Sequence, residues 1–391
     1  VSSTPPLSLG EPVVAAVSAP DETRWGFTQF PAFAALPDGR ILLMYADAED
    51  ASETHGEPAP CLVSSDQGQS WQPFADELVP SRPHFSITPA YDGEFLVIPA
   101  IRYLNVRKSG ITVPEPVSQA HVYGTVFTYR AADFSPEVAT YLQRLDARRW
   151  TPATGKWQDE QVAYDPMDLL AWRRDNSDLI PRTFFERPAI KLNGELLYAD
   201  YRVRYATYES TFPTKGGTTL MASADNGRSF QRRAIVALDP TGRDLYGEPA
   251  LEQTTDGGLV AVIRKSDQDQ KPMAITHSQD AGRTWSPAQP FGTFGVFPYL
   301  LRLDSGVIAL SYGRPGVWLQ LNLDGNGRNW SEPIAIIPGD HAAVQQHSCG
   351  YTSLHAIGPR SFLLAYSDFE HRHADGTRRK AIVTRRIDVA G

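Results

Sequence analysis

The chain has 391 residues, of which 41% are hydrophobic and 21% charged, and its formal net charge is −8. This is the composition of a soluble globular protein; with no basic stripe the acidic balance argues against a nucleic-acid partner, and no apolar run reaches membrane-spanning length, so no membrane partner is expected. Two cysteines, Cys61 and Cys349, are too few for a disulfide framework. One bridge between them and two free thiols both fit the sequence. The chain starts at Val1, which points to a processed precursor or a trimmed chain and to a secreted or periplasmic protein.

In chain order, the first predicted element is an apolar strand at 12–17. A Pro-containing hairpin follows, with strands at 30–36 and 41–45 around Asp38-Gly39. The octet Ser64-Ser65-Asp66-Gln67-Gly68-Gln69-Ser70-Trp71 closes this group. A second hairpin spans 88–98 with Asp92-Gly93 at its turn. Residues 101–180 carry a strand-like run at 122–129, then a polar stretch with Trp150, Trp157 and Trp172. They read as the outer strands of the second unit plus a long insertion, the kind of segment that tends to carry function. The third hairpin, 186–198, turns at Asn193-Gly194 and leads to Ser223-Ala224-Asp225-Asn226-Gly227-Arg228-Ser229-Phe230. The fourth, 248–263, leads to Ser278-Gln279-Asp280-Ala281-Gly282-Arg283-Thr284-Trp285. The fifth, 297–310, leads to a degraded copy, Asp324-Gly325-Asn326-Gly327-Arg328-Asn329-Trp330. The sixth spans 351–366.

Asp-Gly and Asn-Gly between β-rich apolar runs are strong hairpin signals. The repeated octet reads Ser-x-Asp-x-Gly-x-Ser/Thr-aromatic. Asp and Ser side chains can close onto nearby backbone N–H groups, Gly supplies the left-handed position, and the aromatic plugs the turn onto the sheet. Six such units predict an all-β fold, a six-bladed β-propeller with four-stranded antiparallel blades in a single domain over 1–391. The segment at 12–17 is expected to complete the last blade. Asp66, Asp225 and Asp280 are then scaffold residues on outer turns.

The inner hairpin of each blade leaves one mouth of the tunnel and returns to it. Glu186 and Arg202 lie 16 residues apart, and so do Glu248 and Arg264. The same offset from Pro298 gives Arg314. The sixth blade opens with Tyr351, and the first opens with Gln29 and returns to Asp47, Glu49 and Asp50. One mouth is therefore expected to gather Glu186, Glu248, Arg202, Arg264, Arg314 and Tyr351. Paired carboxylates among guanidiniums suit glycosidic chemistry on a polar or anionic sugar. Each glutamate also has a structural reading, as the salt-bridge partner of its own blade's returning arginine. Arg187 and Arg202 are candidates for either role. No His/Cys/Asp cluster has metal-ligand spacing, and neither a metal nor a cofactor is expected.

The octet resembles the Asp-box, or BNR repeat, of sialidase-type propellers. Glu248-Pro249-Ala250 with Arg264-Lys265-Ser266 resembles the sialidase blade that carries a catalytic glutamate and one arginine of the carboxylate-binding triad. The run from Tyr312 through Arg314 to Leu319 is similar to the blade carrying another triad arginine, and Gly350-Tyr351-Thr352-Ser353-Leu354 to the segment with the nucleophilic tyrosine. The resemblance implies that Glu248 takes the Tyr351 proton. Two positions depart from it. Gln29-Phe30-Pro31 stands where the family opens with Arg-Ile-Pro, and the loop at 50–57 lacks a clear aspartate, leaving Glu53 or His55 as proton donors. Phe185-Glu186-Arg187-Pro188 with Asp200-Tyr201-Arg202 resembles the exo-arabinanases built on the same propeller, which would make Glu186 and Glu248 the carboxylate pair. The expectation is a glycoside hydrolase, exo-acting on a terminal sugar of an oligo- or polysaccharide and not a standard sialidase. A uronate-cleaving polysaccharide lyase and a non-catalytic glycan-binding propeller are the alternatives.

Overall fold

The computed structural model describes residues 7–50, 59–74, 86–98, 103–106, 109–121, 125–165, 169–172, 179–181, 185–201, 217–239, 244–265 and 270–390. Glu53, His55 and Arg202 lie outside them. Among the described residues the structure is a series of antiparallel sheets with one short α-helix, Pro136–Gln143.

Successive hairpins build the sheets. Phe27–Ala35, Ile41–Asp47, Cys61–Ser64 and Gln72–Pro73 form the first. Gly247–Gln253, Leu259–Arg264, Pro272–Ser278 and Gln289–Phe294 form another, followed by Val296–Arg302, Ile308–Gly313, Val317–Asn322 and Ile334–Ile337. The last sheet holds Thr352–Gly358, Ser361–Arg372 and Arg378–Val389, and the N-terminal strand Leu7–Val17 pairs with Arg378–Val389 at its edge, as expected for residues 12–17.

The sheets are not of equal size. An eight-stranded one joins two four-stranded halves. One half is Ser86–Pro89, Phe95–Ile98, Arg144–Thr151 and Lys156–Tyr164; the other is Ile190–Leu192, Glu195–Asp200, Thr218–Ser223 and Ser229–Ala237. They meet at a short parallel seam, Ala163↔Ser229 and Tyr164↔Phe230. The region 101–180 thus supplies two outer strands of the second unit and an insertion. In the insertion, Ser118–His121, Thr125–Arg130 and Leu169–Trp172 make a three-stranded sheet, and the helix buries Val138 and Leu142 beside Tyr129 and Phe134.

Each unit packs its flat faces on its neighbours. Leu192, Leu197 and Leu220 meet Leu259, Ala261 and Ile263 across one interface, and Val317, Leu319 and Leu321 meet Phe362, Leu364 and Val383 across another. First strands are also tied side by side. Ala189 N–H donates to Thr88 Oγ1 at 3.0 Å, Arg302 N–H to Glu252 Oε2 at 3.1 Å, and Phe33 N–H to Ser353 Oγ at 3.0 Å. That last bond joins the first unit to the last and closes the ring.

The repeated octets form the expected turns. In the first, Ser64 Oγ accepts Gly68 N–H at 2.8 Å, and the Asp66 carboxylate accepts Ser70 N–H at 2.9 Å and its hydroxyl at 2.6 Å. Ser223/Asp225 and Ser278/Asp280 repeat the scheme. These bonds hold the Asp66 and Asp280 carboxyls down to about 2. In the degraded copy Asn322 replaces the serine: its Oδ1 accepts Gly327 N–H at 2.8 Å and its Nδ2 donates to Asp324 Oδ1 at 2.9 Å. The glycines sit at φ between 74° and 83° and press on the preceding unit. A Cβ on Gly68 would come 2.6 Å from Leu363, on Gly227 2.6 Å from Leu96, and on Gly282 2.1 Å from Leu220. The octet is therefore an inter-sheet seal. Glycine is required there for both its left-handed φ and its missing side chain.

Candidate active site

Three first strands share a local break. Pairing skips between Gln29 and Ala32, between Gly247 and Ala250, and between Val296 and Tyr299. Within each skip a residue with φ of 46–53° precedes a proline: Phe30, Glu248 and Phe297. Such bulges re-aim side chains. Here they turn all three residues toward Tyr351, which directly precedes the strand Thr352–Gly358.

Glu248 is the hub. Its Oε1 accepts the Tyr351 hydroxyl at 2.5 Å and Arg264 Nη1 at 2.5 Å, and its Oε2 accepts Phe297 N–H at 3.0 Å. Arg264 Nη1 also reaches the Tyr351 hydroxyl at 3.4 Å. Glu248, Arg264 and Arg314 are all more than nine-tenths buried. Burial alone would raise the Glu248 pKa, but the charge and hydrogen bond of Arg264, the Tyr351 hydroxyl and the Arg314 charge outweigh it and bring it to about 2. Glu248 is thus an ionised hydrogen-bond acceptor at neutral pH. Burial and the Glu248 charge push the Tyr351 phenol well above its ordinary value, while Arg264 and Arg314 pull it down.

Aromatic contacts fix the Tyr351 ring. Phe297 stacks on it at 4.4 Å and 11°, and Phe30 meets it edge-on at 4.8 Å and 65°. Arg314 donates from Nε to the Cys349 carbonyl at 3.2 Å, and its guanidinium lies 5.6 Å from the Tyr351 ring and 5.3 Å from the Trp25 ring. Trp25 is partly exposed, rests edge-on against Phe30, and donates its indole N–H to Asp50 at 3.1 Å.

No protein-family model matches the chain, and no curated protein matches it by sequence. Solved structures do match in fold. A protein of unknown function from Dyadobacter fermentans superposes with a TM-score of 0.66 at 18% identity, over 98% of this chain and 99% of its own. A Penicillium chrysogenum alpha-L-arabinanase, solved with arabinobiose, gives 0.56 at 15% identity over 97% and 98%. A Hadza microbial sialidase gives 0.51 at 14% over 91% of this chain and 65% of its own. The chain has the sialidase-like propeller fold.

On this propeller the expected mouth residues are placed as follows. Glu248, Arg264, Arg314 and Tyr351 form one cluster. Glu186 lies a blade away, and both its carboxylate oxygens accept the Tyr201 hydroxyl at 3.0 Å. Tyr201 in turn packs on Gly247, where a Cβ would meet its ring at 3.2 Å. The arginine that the structural reading pairs with Glu186, Arg202, lies outside the described residues.

In sequence it is Arg187-Pro188-Ala189, not Glu186, that matches Glu248-Pro249-Ala250. Arg187 is held by backbone carbonyls of two other units. It is buried, donating from Nη1 to the Pro249 carbonyl at 3.0 Å and from Nη2 to that of Pro298 at 2.8 Å. This binds three blades together. Gln29 is fully buried, and neither amide atom has a hydrogen-bond partner among the described residues. Cys61 and Cys349 are free thiols. His341 and His347 turn to Gln270 and Glu370.

Sequence reasoning missed Phe297, Phe30, Tyr201 and Trp25. The only signal for the first two was an aromatic directly before a proline at the position Glu248 occupies in its own blade.

Proposed function

We propose that the protein is a glycoside hydrolase acting on a terminal sugar at one mouth of a six-bladed propeller, the two halves of the eight-stranded sheet counting as separate blades. The observation that carries this reading is the Tyr351 hydroxyl at 2.5 Å from an ionised, buried Glu248. A phenol is a poor nucleophile until its proton has an acceptor. Tyr351 Oη attacks the anomeric carbon while its proton passes to Glu248. The glycosidic C–O bond breaks with its electrons going to the leaving oxygen, which Glu186, Glu53 or His55 protonates. Water, giving one proton to the group that protonated the leaving oxygen, then displaces the tyrosine from the sugar, and the departing Tyr351 oxygen recovers its proton from Glu248, giving net retention. Arg264 and Arg314 offset negative charge on the phenolate. Arg264 and Arg314 line the sugar site, with Arg202 as a further candidate; Gln29, sealed from solvent, is not part of it.

The fold neighbours include an arabinanase and a sialidase, which supports a sugar substrate and leaves its identity to experiment. The test is a panel of aryl arabinofuranosides, sialosides and uronides. The wild type should release aglycone from at least one, and Glu248→Gln should bind that sugar without turnover. Binding with no hydrolysis by either protein would favour a glycan-binding propeller. An unsaturated, ultraviolet-absorbing product from a uronate polymer would favour a lyase.

A further inference from the structure

We propose that Phe297 is a positioning residue that sets Tyr351 and Glu248 against each other, with the Arg187 guanidinium behind it as a backstop. The role rests on the Tyr351–Glu248 pair being the reactive one.

Phe297 holds both partners, as Arg264 does, but through its backbone and its ring rather than through charge. Its backbone N–H binds Glu248 Oε2 at 3.0 Å, and its ring stacks on Tyr351 at 4.4 Å. The Arg187 guanidinium lies 3.8 Å from the centre of the same ring. A phenyl ring has two faces, so two partners this close occupy opposite ones, and Phe297 is clamped between the cation and the phenol. The Arg187 Nη groups bind the carbonyls of Pro249 and Pro298, the residues just after Glu248 and Phe297. One guanidinium thereby fixes the spacing of the two bulges and the plane of the ring between them.

The backbone shows the same selection. Phe297 has φ +46°, a region that a bulky residue enters only under constraint. Glycine would relieve the strain there and keep the N–H bond, but it would lose the stack. An aromatic at a strained position is explained if the ring has a task that glycine cannot perform.

The experiment compares Phe297→Gly with Phe297→Tyr. Glycine keeps the N–H and accepts the positive φ; tyrosine keeps the ring plane. Crystal structures of both should show the Tyr351 hydroxyl beyond hydrogen-bond reach of Glu248 in Phe297→Gly and back in contact in Phe297→Tyr. On a glycoside the wild type hydrolyses, Phe297→Gly should lose about a hundredfold in kcat, the scale of an ångström-size misplacement, with KM changed less than about twofold. Phe297→Tyr should recover the rate. An ultraviolet titration, taken as the difference from the same background carrying Tyr351→Phe, should show the phenol ionising at lower pH in Phe297→Gly than in the wild type.

A hydroxyl still seated on Glu248 and an unchanged titration in Phe297→Gly would overturn the proposal. If that variant does not fold, Phe297→Leu, which keeps bulk without a π face, is read the same way. A wild type inactive on every glycoside would sink the hydrolase reading, while the structures and the titration would still decide the positioning role.

Discussion

Replacing Glu248 by glutamine removes a charge that two independent considerations value alike. The folded carboxyl titrates at about 2, against about 4.3 for a free glutamate, which corresponds to about 3 kcal/mol of stability at neutral pH. Separately, the substitution strands Arg264, which is 7% exposed, without its counter-charge. Breaking such a pair from one side costs about 3–5 kcal/mol. For a chain of this length that is a fall of about 4–6 °C in the thermal midpoint.

The pH dependence carries a sign. The folded pKa is depressed, so the contribution is full above the unfolded value and is lost as pH falls toward about 2. Thermal midpoints at intervals from pH 7 to pH 2.5 should converge for wild type and Glu248→Gln at the acid end. Adding Arg264→Met should restore part of the neutral-pH loss, because the stranded cation is then gone. A Glu248→Gln midpoint within 1 °C of wild type at pH 7 and a pH-independent difference would refute the ion-pair reasoning (about 1 kcal/mol would be visible as roughly that shift).

Tyr351→Phe keeps the stack on Phe297 and the edge contact with Phe30 but loses a charge-assisted hydrogen bond worth about 1.5–3 kcal/mol. The midpoint should fall by about 2–4 °C while hydrolysis drops more than about a thousandfold; full activity would exclude the tyrosine as nucleophile. Gly227→Ala should cost about 1–3 kcal/mol, because its Cβ would land 2.6 Å from Leu96 at φ +83°; a chemical melt showing no loss would contradict the inter-sheet seal. Burial lowers the His355 pKa to about 4, so its imidazole stays neutral in the folded protein while the unfolded chain takes a proton below about 6.5. Stability should therefore fall as pH drops from about 6.5 to 4, and His355→Phe should flatten that part of the profile; an equally steep profile would place the acid sensitivity elsewhere.

The sheet pattern and the mouth cluster were legible because both are encoded locally. Asp-Gly turns and the repeated octet set the strands, and the turn chemistry predicted for Asp66, Asp225 and Asp280 is the chemistry observed. Glu248, Arg264, Arg314 and Tyr351 follow from that register. The bulges were not legible. An extra residue in a ladder leaves no mark in a hydrophobic pattern, and a fixed spacing of 16 takes no account of it. Phe297 was invisible for another reason. It carries no titratable group, and half of its contribution comes from its backbone N–H. Gln29 stands where the resemblance expects arginine, but nothing in the sequence foretold an amide sealed away from solvent without a described partner.

The pairing of Leu7 with Val389 has a use of its own. The first and last strands of the described chain are thus neighbours in one sheet. A linker of a few residues would join them, and new termini could be cut at a turn such as Asp38-Gly39, where a Cβ on Gly39 would meet nothing within 4 Å. A circular permutant opened there should keep the Tyr351–Glu248 site intact, since the cut lies between the two strands of the first hairpin, at the end away from the pairing of Gln29 with Ala46 near the mouth. It would also place both ends of the chain in the first sheet, so that the stability of ring closure could be measured apart from the strand that now provides it.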